Sequence, residues 1–135
     1  MAENATSTPS QQASESTLST LTAVGPNNTP ITLQYINDNA WPKEFKLDLK
    51  LNNWDEWSFQ ITLLAGRQGF SKILNGSFTQ PSVDTHSKAH HIWASNDESL
   101  KHFLYSHISW TDYRNIAHLP TANAIFEELC KIYEK

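Results

Sequence analysis

The sequence predicts an all-α domain, a small bundle of four to five helices, with a disordered polar arm in front of it. Of the first 30 residues, 19 are Ser, Thr, Asn, Gln or Pro, whereas all 15 aromatic residues come later. From Trp54 onward, apolar residues recur at helical spacing, and Gly and Pro separate the periodic segments. We therefore expect an arm over residues 1–30 and a helical domain over residues 31–135.

The arm is too poor in apolar side chains to form a core. Ordering its backbone would cost about 1–2 kcal/mol per residue, and the segment offers little burial to offset that cost. Leu18, Leu21 and Val24 are spaced so that they could share one helical turn. The Ser and Thr residues around them compete with helix by bonding to nearby backbone, which disfavours this alternative.

Charge and cysteine content argue against several functions. The chain has 10 basic and 14 acidic residues, a formal net charge of −4, and therefore no cationic surplus for a phosphate backbone. We expect RNA contact to be indirect or weak. Cys130 is the sole cysteine, so neither an internal disulfide nor a zinc ribbon is available. No apolar run approaches the ~20 residues that span a bilayer, and the N-terminus lacks signal-peptide features. A cytoplasmic protein without membrane association is the expectation.

Three leucines and one asparagine lead into the first helix. Leu47, Leu49 and Leu51 alternate with polar residues, which predicts a short extended segment. Asn53 is placed to accept hydrogen bonds from the amides of the following turn. Glu56, three residues later, can in return accept one from the backbone amide of Asn53. A helix is therefore predicted to begin at Trp54.

The first helix is predicted to run from about Trp54 to Ala65, with Gly66 or Gly69 as its stop. The side chains of Trp54, Trp57, Ile61 and Leu64 fall at spacings of three and four residues and should form one buried face. A single turn is expected at 70–74 before Asn75-Gly76, a dipeptide that favours positive φ.

The second long helix is predicted over about Asp84 to Ser106, after a linker around Pro81. It carries an apolar stripe that includes Trp93 and Leu104. Asp97 interrupts this stripe, so it either caps a break in the helix or accepts hydrogen bonds from a neighbouring segment.

Two more helical segments are expected in the last quarter of the chain. Residues 110–116 could form a turn or a short helix. The last helix should begin near Pro120-Thr121, because proline suits a first turn. Six residues are predicted to face inward from it: Ala122, Ile125, Phe126, Leu129, Ile132 and Tyr133.

Catalytic and metal sites are weakly indicated. His86 and His90 share a helix face at the spacing that a metal could bridge, yet the acidic residue of a His-Glu-x-x-His motif is missing, so a solvated helix start is favoured. Cys130 lies beside Leu129 in an amphipathic segment, where a packing role is favoured over a nucleophilic one. We expect no catalytic residue, no cofactor and no metal. Trp110 and Tyr113 are the better candidates for exposed partner contacts.

Residues 45–135 resemble the opening half of the Gag protein of copia-type LTR retrotransposons. The segment KLNNWDEWSFQITLLAGRQGFSKILNGSFTQP is similar to the family's Asn-aromatic pair, Trp-bearing helix, Leu-x-Gly and proline. The run HHIWASNDESLKHFLYSHI resembles its Trp, spaced Asp and helical Ile/Leu pattern, and TANAIFEELCKIY its ending, with Phe126 where tryptophan is commoner. The motif positions are Leu51, Asn53, Trp54, Trp57, Leu64, Leu74, Gly76, Pro81, Trp93, Asp97, Leu104, Ala122, Phe126, Leu129 and Tyr133.

The resemblance implies a structural role, in which helical capsid domains self-associate into particles that enclose the element's RNA. The family's zinc knuckle is missing, because it needs three cysteines. The second half of such a Gag would follow Lys135, so we interpret the chain as a fragment, a truncated remnant or a domesticated copy. A monomeric adaptor that binds a peptide or protein partner in a helix groove is the alternative. An RNA-binding module is a third hypothesis, which the charge disfavours.

Overall fold

A computed structural model describes residues 21–42 and 44–134. The predicted disorder of residues 1–20 lies outside these residues, as does Leu18. Val24, the last residue of the alternative helical turn, lies in a β-strand. The described chain forms two compact units. The first consists of residues 21–34 and 80–95, and the second of residues 35–79 and 96–134.

The described residues are mostly helical, as predicted. They contain two short strands and five α-helices, together with single 3-10 turns. The elements are β1 (Thr22–Val24), β2 (Pro30–Thr32), α1 (Trp54–Gln68), α2 (Ser71–Leu74), α3 (Ser87–Ser106), α4 (Trp110–Ile116) and α5 (Ala122–Tyr133).

The first unit begins with a β-hairpin that the sequence did not predict. Strands β1 and β2 pair antiparallel, with Thr22 opposite Thr32. The amide of Gly25 donates to the carbonyl of Thr29 (2.7 Å) and closes the connection. Pairing satisfies the backbone and lets Ile31 become buried at 5% exposure. The predicted arm boundary at Pro30 is therefore wrong for residues 21–30, whose polar composition hid the short strands.

Helix α3 begins at Ser87, three residues later than predicted. The hydroxyl of Ser82 accepts a hydrogen bond from the amide of Asp84 (3.1 Å), and residues 83–85 form a turn. This local bond holds the backbone in a non-helical conformation, as serine often does. Within the first unit, α3 then buries Ala89 and Ile92.

Helix α1 supplies two of the buried tryptophans of the second unit. Trp54, Trp57, Ile61 and Leu64 are all at most 6% exposed, which confirms the predicted core face. The helix continues past the predicted end at Ala65 to Gln68. Gly66 is tolerated inside it, and Gly69 ends it in the left-handed conformation at φ 84°.

The predicted capping role of Asn53 is wrong. Its side chain makes no hydrogen bond to the first turn of α1. Instead its amide donates to the carbonyl of Lys46 (2.8 Å), and its carbonyl accepts from the amide of Asp48 (3.0 Å). Asn53 therefore holds the segment before the helix, because the tertiary bonds occupy both of its polar atoms.

That segment is not the extended strand that alternating leucines predicted. Leu47 alone is buried, and it forms an isolated parallel bridge with Ile108. Leu49–Leu51 is a 3-10 turn, capped by the Asp48 carboxylate, which accepts from the amide of Lys50 (2.9 Å). Leu51 is 68% exposed, so its predicted place in the core is wrong.

Of the two roles predicted for Asp97, the structure shows hydrogen bonding to a neighbouring segment rather than capping of a helix break. Helix α3 runs through it without a break, and its carboxylate accepts a hydrogen bond from the amide of Ala122 (2.9 Å). That amide belongs to the first turn of α5, whose amides have no partner within the helix. Asp97 thus fixes the start of α5 on α3, while Thr121 caps the same end by accepting from the amide of Ala124.

The remaining predicted core positions are mostly buried. Ten of the motif positions are buried: Trp54, Trp57, Leu64, Leu74, Pro81, Trp93, Asp97, Leu104, Ala122 and Leu129. Phe126 and Tyr133 are half-buried, as is Ile132. Helix α4 spans the predicted residues 110–116.

Asp97 provides a test of this packing. We expect Asp97→Ala to lose about 1–3 kcal/mol of unfolding free energy, because the Ala122 amide would lose its partner in a buried site. Asp97→Asn keeps an acceptor oxygen and should lose less. Chemical denaturation of the two variants measures the difference, and equal losses would contradict the assigned hydrogen bond.

The Asp97→Asn variant and the parent chain should differ in the pH dependence of their stability. Burial is the main cause that raises the pKa of Asp97 above its usual value near 3.8. A carboxyl with a raised folded pKa stabilises the fold most below its unfolded pKa, and this contribution is lost as pH rises through the folded pKa. Asp97→Asn should therefore gain stability relative to the parent chain as pH rises from 3 toward neutrality. A constant difference across that range would contradict the prediction.

Gly76 should tolerate no side chain. It has a φ of 77°, and a Cβ atom there would lie 2.7 Å from Oδ1 of Asn123, whose amide donates to the carbonyl of Leu74 (2.9 Å). Gly76→Ala is expected to cost at least about 1–2 kcal/mol from the left-handed backbone alone. The matched control is Gly66→Ala inside α1, where the nearest atom is Ser71 Oγ at 3.6 Å. That change should instead stabilise by about 0.5–1 kcal/mol, as thermal unfolding can measure.

Candidate functional site

A second apolar stripe lies on the outer side of α1, opposite the buried tryptophans. Phe59 is 63% exposed and Leu63 is 38% exposed. At about 100° per residue, these side chains lie roughly half a turn around the helix from Trp57 and Ile61. We call this surface the outer face of α1, defined by Asp55, Phe59, Thr62, Leu63, Gly66 and Arg67.

The outer face contains a shallow open depression of about 420 Å³, with mostly apolar walls. Phe59 and Leu63 line it together with Gly66 and Ser71. Gly66 has no side chain, so the backbone of α1 is accessible there. The exposed ring of Phe59 and the open backbone at Gly66 thus lie on the same helix, about two turns apart.

Charges of opposite sign lie at the two ends of this face. Asp55 and Glu56 are in the first turn of α1, and Arg67 is in its last turn. All three are exposed. The acidic residues suit the positive end of the helix dipole and the arginine its negative end, which stabilises α1 itself. The same placement gives the face an acidic and a basic end.

A second exposed feature is a ladder of aromatic rings at α4, formed by Trp110, Tyr113 and Tyr105. Trp110 is 69% exposed and stacks on half-buried Tyr113, with ring centroids 5.3 Å apart. Tyr113 packs edge-on against Tyr105 (5.1 Å). The predicted exposure is confirmed for Trp110, whereas Tyr113 is only partly accessible. This ladder can contact a partner through the free face of the indole ring.

A polar pocket of about 390 Å³ lies elsewhere in the second unit and includes Asp38, His102 and His107 in its lining. The histidines serve different roles. His107 packs its ring against Phe103 (4.3 Å) and Trp41 (4.9 Å), and burial lowers its pKa. His102 is exposed, and its Nε2 lies 2.8 Å from a carboxylate oxygen of Glu98 on the same helix. These contacts are those of side-chain packing and of a surface hydrogen bond.

The buried carboxylate of Asp112 also has a structural role, because its hydrogen bonds join two helices. Its Oδ2 accepts hydrogen bonds from the hydroxyls of Ser109 (3.0 Å) and Tyr133 (2.7 Å), and it is 1% exposed. Burial and the bond to Asp112 raise the pKa of Tyr133. Asp112 therefore ties the end of α5 to the start of α4, a stabilising arrangement rather than a reactive one.

The two histidines at metal-bridging spacing each contact another polar group. His86 Nδ1 lies 3.0 Å from the Thr85 hydroxyl, and His90 Nδ1 lies 2.9 Å from the carbonyl of Pro81. Cys130 is half-buried, and burial, followed by the charges of Glu134 and Glu127, raises the pKa of its thiol. A raised pKa lowers the thiolate fraction and hence the reactivity. Over residues 21–42 and 44–134, no group of three His, Cys, Asp or Glu side chains could hold a metal ion.

The first unit contains an apolar groove of about 530 Å³. Leu21 and Leu33 line it beside the hairpin, and His91 and Ile92 line it from α3. The hairpin ends are joined by a hydrogen bond from the amide of Leu33 to the carbonyl of Leu21 (2.9 Å). The groove is mostly apolar, and sequence reasoning did not find it.

Sequence reasoning also missed the outer face of α1. Its signal was present, because Phe59, Thr62, Leu63 and Gly66 repeat at spacings of three and four residues, like the inner stripe. When only the stronger stripe is considered, a helix with apolar residues on two sides is interpreted as one with a single buried face. The exposed fraction of Phe59, 63%, shows that the second stripe faces solvent.

The chain matches no protein-family model, no curated protein and no solved structure at a significant level. None of these comparisons identifies a retrotransposon Gag. Among the helices of the described residues, none combines the length and the apolar character needed to cross a membrane.

Proposed function

We propose that this chain is a non-enzymatic structural protein, resembling the capsid region of copia-type Gag, which acts by self-association in the cytoplasm. The outer face of α1 carries this proposal: it presents Phe59 and Leu63 to solvent on a helix whose other side fills the core. Exposed aromatic and aliphatic groups beside a depression are typical of protein contacts. In the full proposal, copies assemble into particles that enclose element RNA.

The polar groups of the described residues support a structural role. Asp97 and Asp112, the buried carboxylates, both accept hydrogen bonds that join helices. Residues 31–135 hold 10 basic and 12 acidic residues. RNA enclosure would therefore depend on assembly, or on sequence that follows in a longer Gag, rather than on a basic surface of this domain.

Sedimentation velocity tests self-association directly. The chain should be measured from about 10 μM to about 1 mM, since one helix face per copy makes a small contact of the weak class. We expect the weight-average mass to rise with concentration. A constant monomer mass over the whole range would reject self-association for this chain.

A monomeric adaptor is the second candidate, and the aromatic ladder at α4 favours it. Among the large hydrophobic residues that the structure describes, Trp110 is the most exposed, and tryptophan is enriched where binding energy is concentrated. Trp110→Ala should leave the fold unchanged, because the ring buries little surface. The adaptor function predicts that this variant loses a bound protein partner while the mass stays monomeric. Self-association through α1 predicts that the variant associates like the parent chain.

A further inference from the structure

We infer that two copies of the chain pair through the outer face of α1, antiparallel and about a two-fold axis beside Thr62 and Leu63. This inference rests on the proposed self-association and adds the surface, the orientation and the contacts. Three features of α1 support it: its shape, its charge and the exposure of the residues involved.

The shape of the outer face is complementary to itself. With the axis between residues 62 and 63, Phe59 lies as far to one side of it as Gly66 lies to the other. An antiparallel pair therefore places Phe59 opposite the partner's Gly66, where the depression of about 420 Å³ opens. The same contact occurs twice, as a two-fold interface requires. Glycine at this point allows close approach of the two helices.

The charges select the antiparallel orientation. In that register Arg67 of one copy faces the partner's Ser58, and the partner's Glu56 lies two residues further, roughly 3 Å along the helix. Glu56 and Arg67 are separated by only about 20° around α1, so both lie at the same edge of the interface. The arginine side chain can span the remaining distance, and the two-fold pair contains two equivalent opposite-charge contacts. A parallel pair would place the acidic ends of α1 together and the basic ends together. Complementary charges of this kind set orientation more than they add affinity.

The residues that would be covered are accessible in the single chain. Asp55, Phe59, Thr62, Leu63, Gly66 and Arg67 are all exposed. Their substitution should therefore leave the core of the second unit intact, since the inner face of α1 is formed by other side chains. The contact is one helix wide, so the pair should exchange rapidly with monomer.

Site-specific cross-linking tests the geometry. Cys130→Ser removes the native thiol, and Thr62→Cys then places one thiol per copy next to the proposed axis. A short bismaleimide reagent should give covalent dimer in high yield from this variant. The matched control is Thr111→Cys in the same background, since Thr111 is also exposed but lies on α4. It should give little dimer. Equal yields from the two variants would overturn the proposed axis.

Charge reversal tests the orientation. Arg67→Glu should weaken association by about tenfold or more, because it places a second acidic group against the partner's Glu56. Adding Glu56→Lys to Arg67→Glu restores opposite charges and should recover most of the affinity. Failure of the double variant to associate better than Arg67→Glu would overturn the antiparallel pairing. Circular dichroism and thermal unfolding of each variant establish that it is folded before its mass is measured.

Phe59→Ser separates this inference from the proposed function. The inference predicts that the variant folds normally but associates at least about tenfold more weakly than the parent chain. If the parent chain associates and Phe59→Ser associates equally well, this interface is wrong while self-association stands. If the parent chain remains monomeric at every concentration, the proposed function and this inference both fail.

Discussion

The packing of the second unit depends on the hydrogen bond made by the buried indole of Trp57. Its Nε1 donates a hydrogen bond to the carbonyl of His107 (2.8 Å), and the same carbonyl accepts from the amide of Leu47 (2.9 Å). The carbonyl of Leu47 in turn accepts from the amide of Ser109 (2.8 Å). Three separate segments of the chain are thus joined around one side chain. A buried indole N–H without such an acceptor would cost about 1–3 kcal/mol.

This contact also determines which side of α1 remains free. Trp57 is fully buried and packs against Trp54 (5.8 Å) and Trp41 (6.4 Å). With the tryptophans directed inward, the geometry of the helix directs Phe59 and Leu63 outward. The exposed apolar surface is therefore a consequence of how the core is built. The inner apolar stripe of α1 fills the core, and the outer stripe is the surface that we propose for contact with another copy.

The sequence predicted those parts of the fold that depend on local patterns. The inner face of α1, the limits of α4 and the start of α5 at Thr121 all follow from helical spacing, capping and proline placement. Leu49 to Leu51 and Asn53 were wrongly interpreted because side-chain hydrogen bonds decide their conformations: the Asp48 carboxylate caps the turn at Leu49 to Leu51, and the Asn53 side chain bonds to the backbone of Lys46 and Asp48. The hairpin at residues 22–32 was not predicted because its strands have three residues each, which is too short for an alternation of apolar and polar residues to be recognised.

The candidate site was predicted only in part, for a related reason. The exposure of Trp110 was inferred from its place in a loop-like stretch of the sequence, and it is confirmed, although residues 110–116 form a short helix. The exposure of Phe59 could not be inferred, because hydrophobicity alone does not tell whether an apolar residue faces a core or another molecule. Burial depends on what packs against each face of a helix, and that information is distributed over the whole chain.

The proposal that the inner face of α1 forms the core while its outer face contacts another copy is tested most directly by backbone amide chemical shifts. These are measured by NMR as the chain is diluted from about 1 mM to about 10 μM. Shift changes should be concentrated at Glu56, Phe59, Leu63, Gly66 and Arg67, with the amides of Leu47 and Ser109 unchanged. Concentration-dependent shifts confined to α4, or none along α1 while the mass changes, would contradict the proposal.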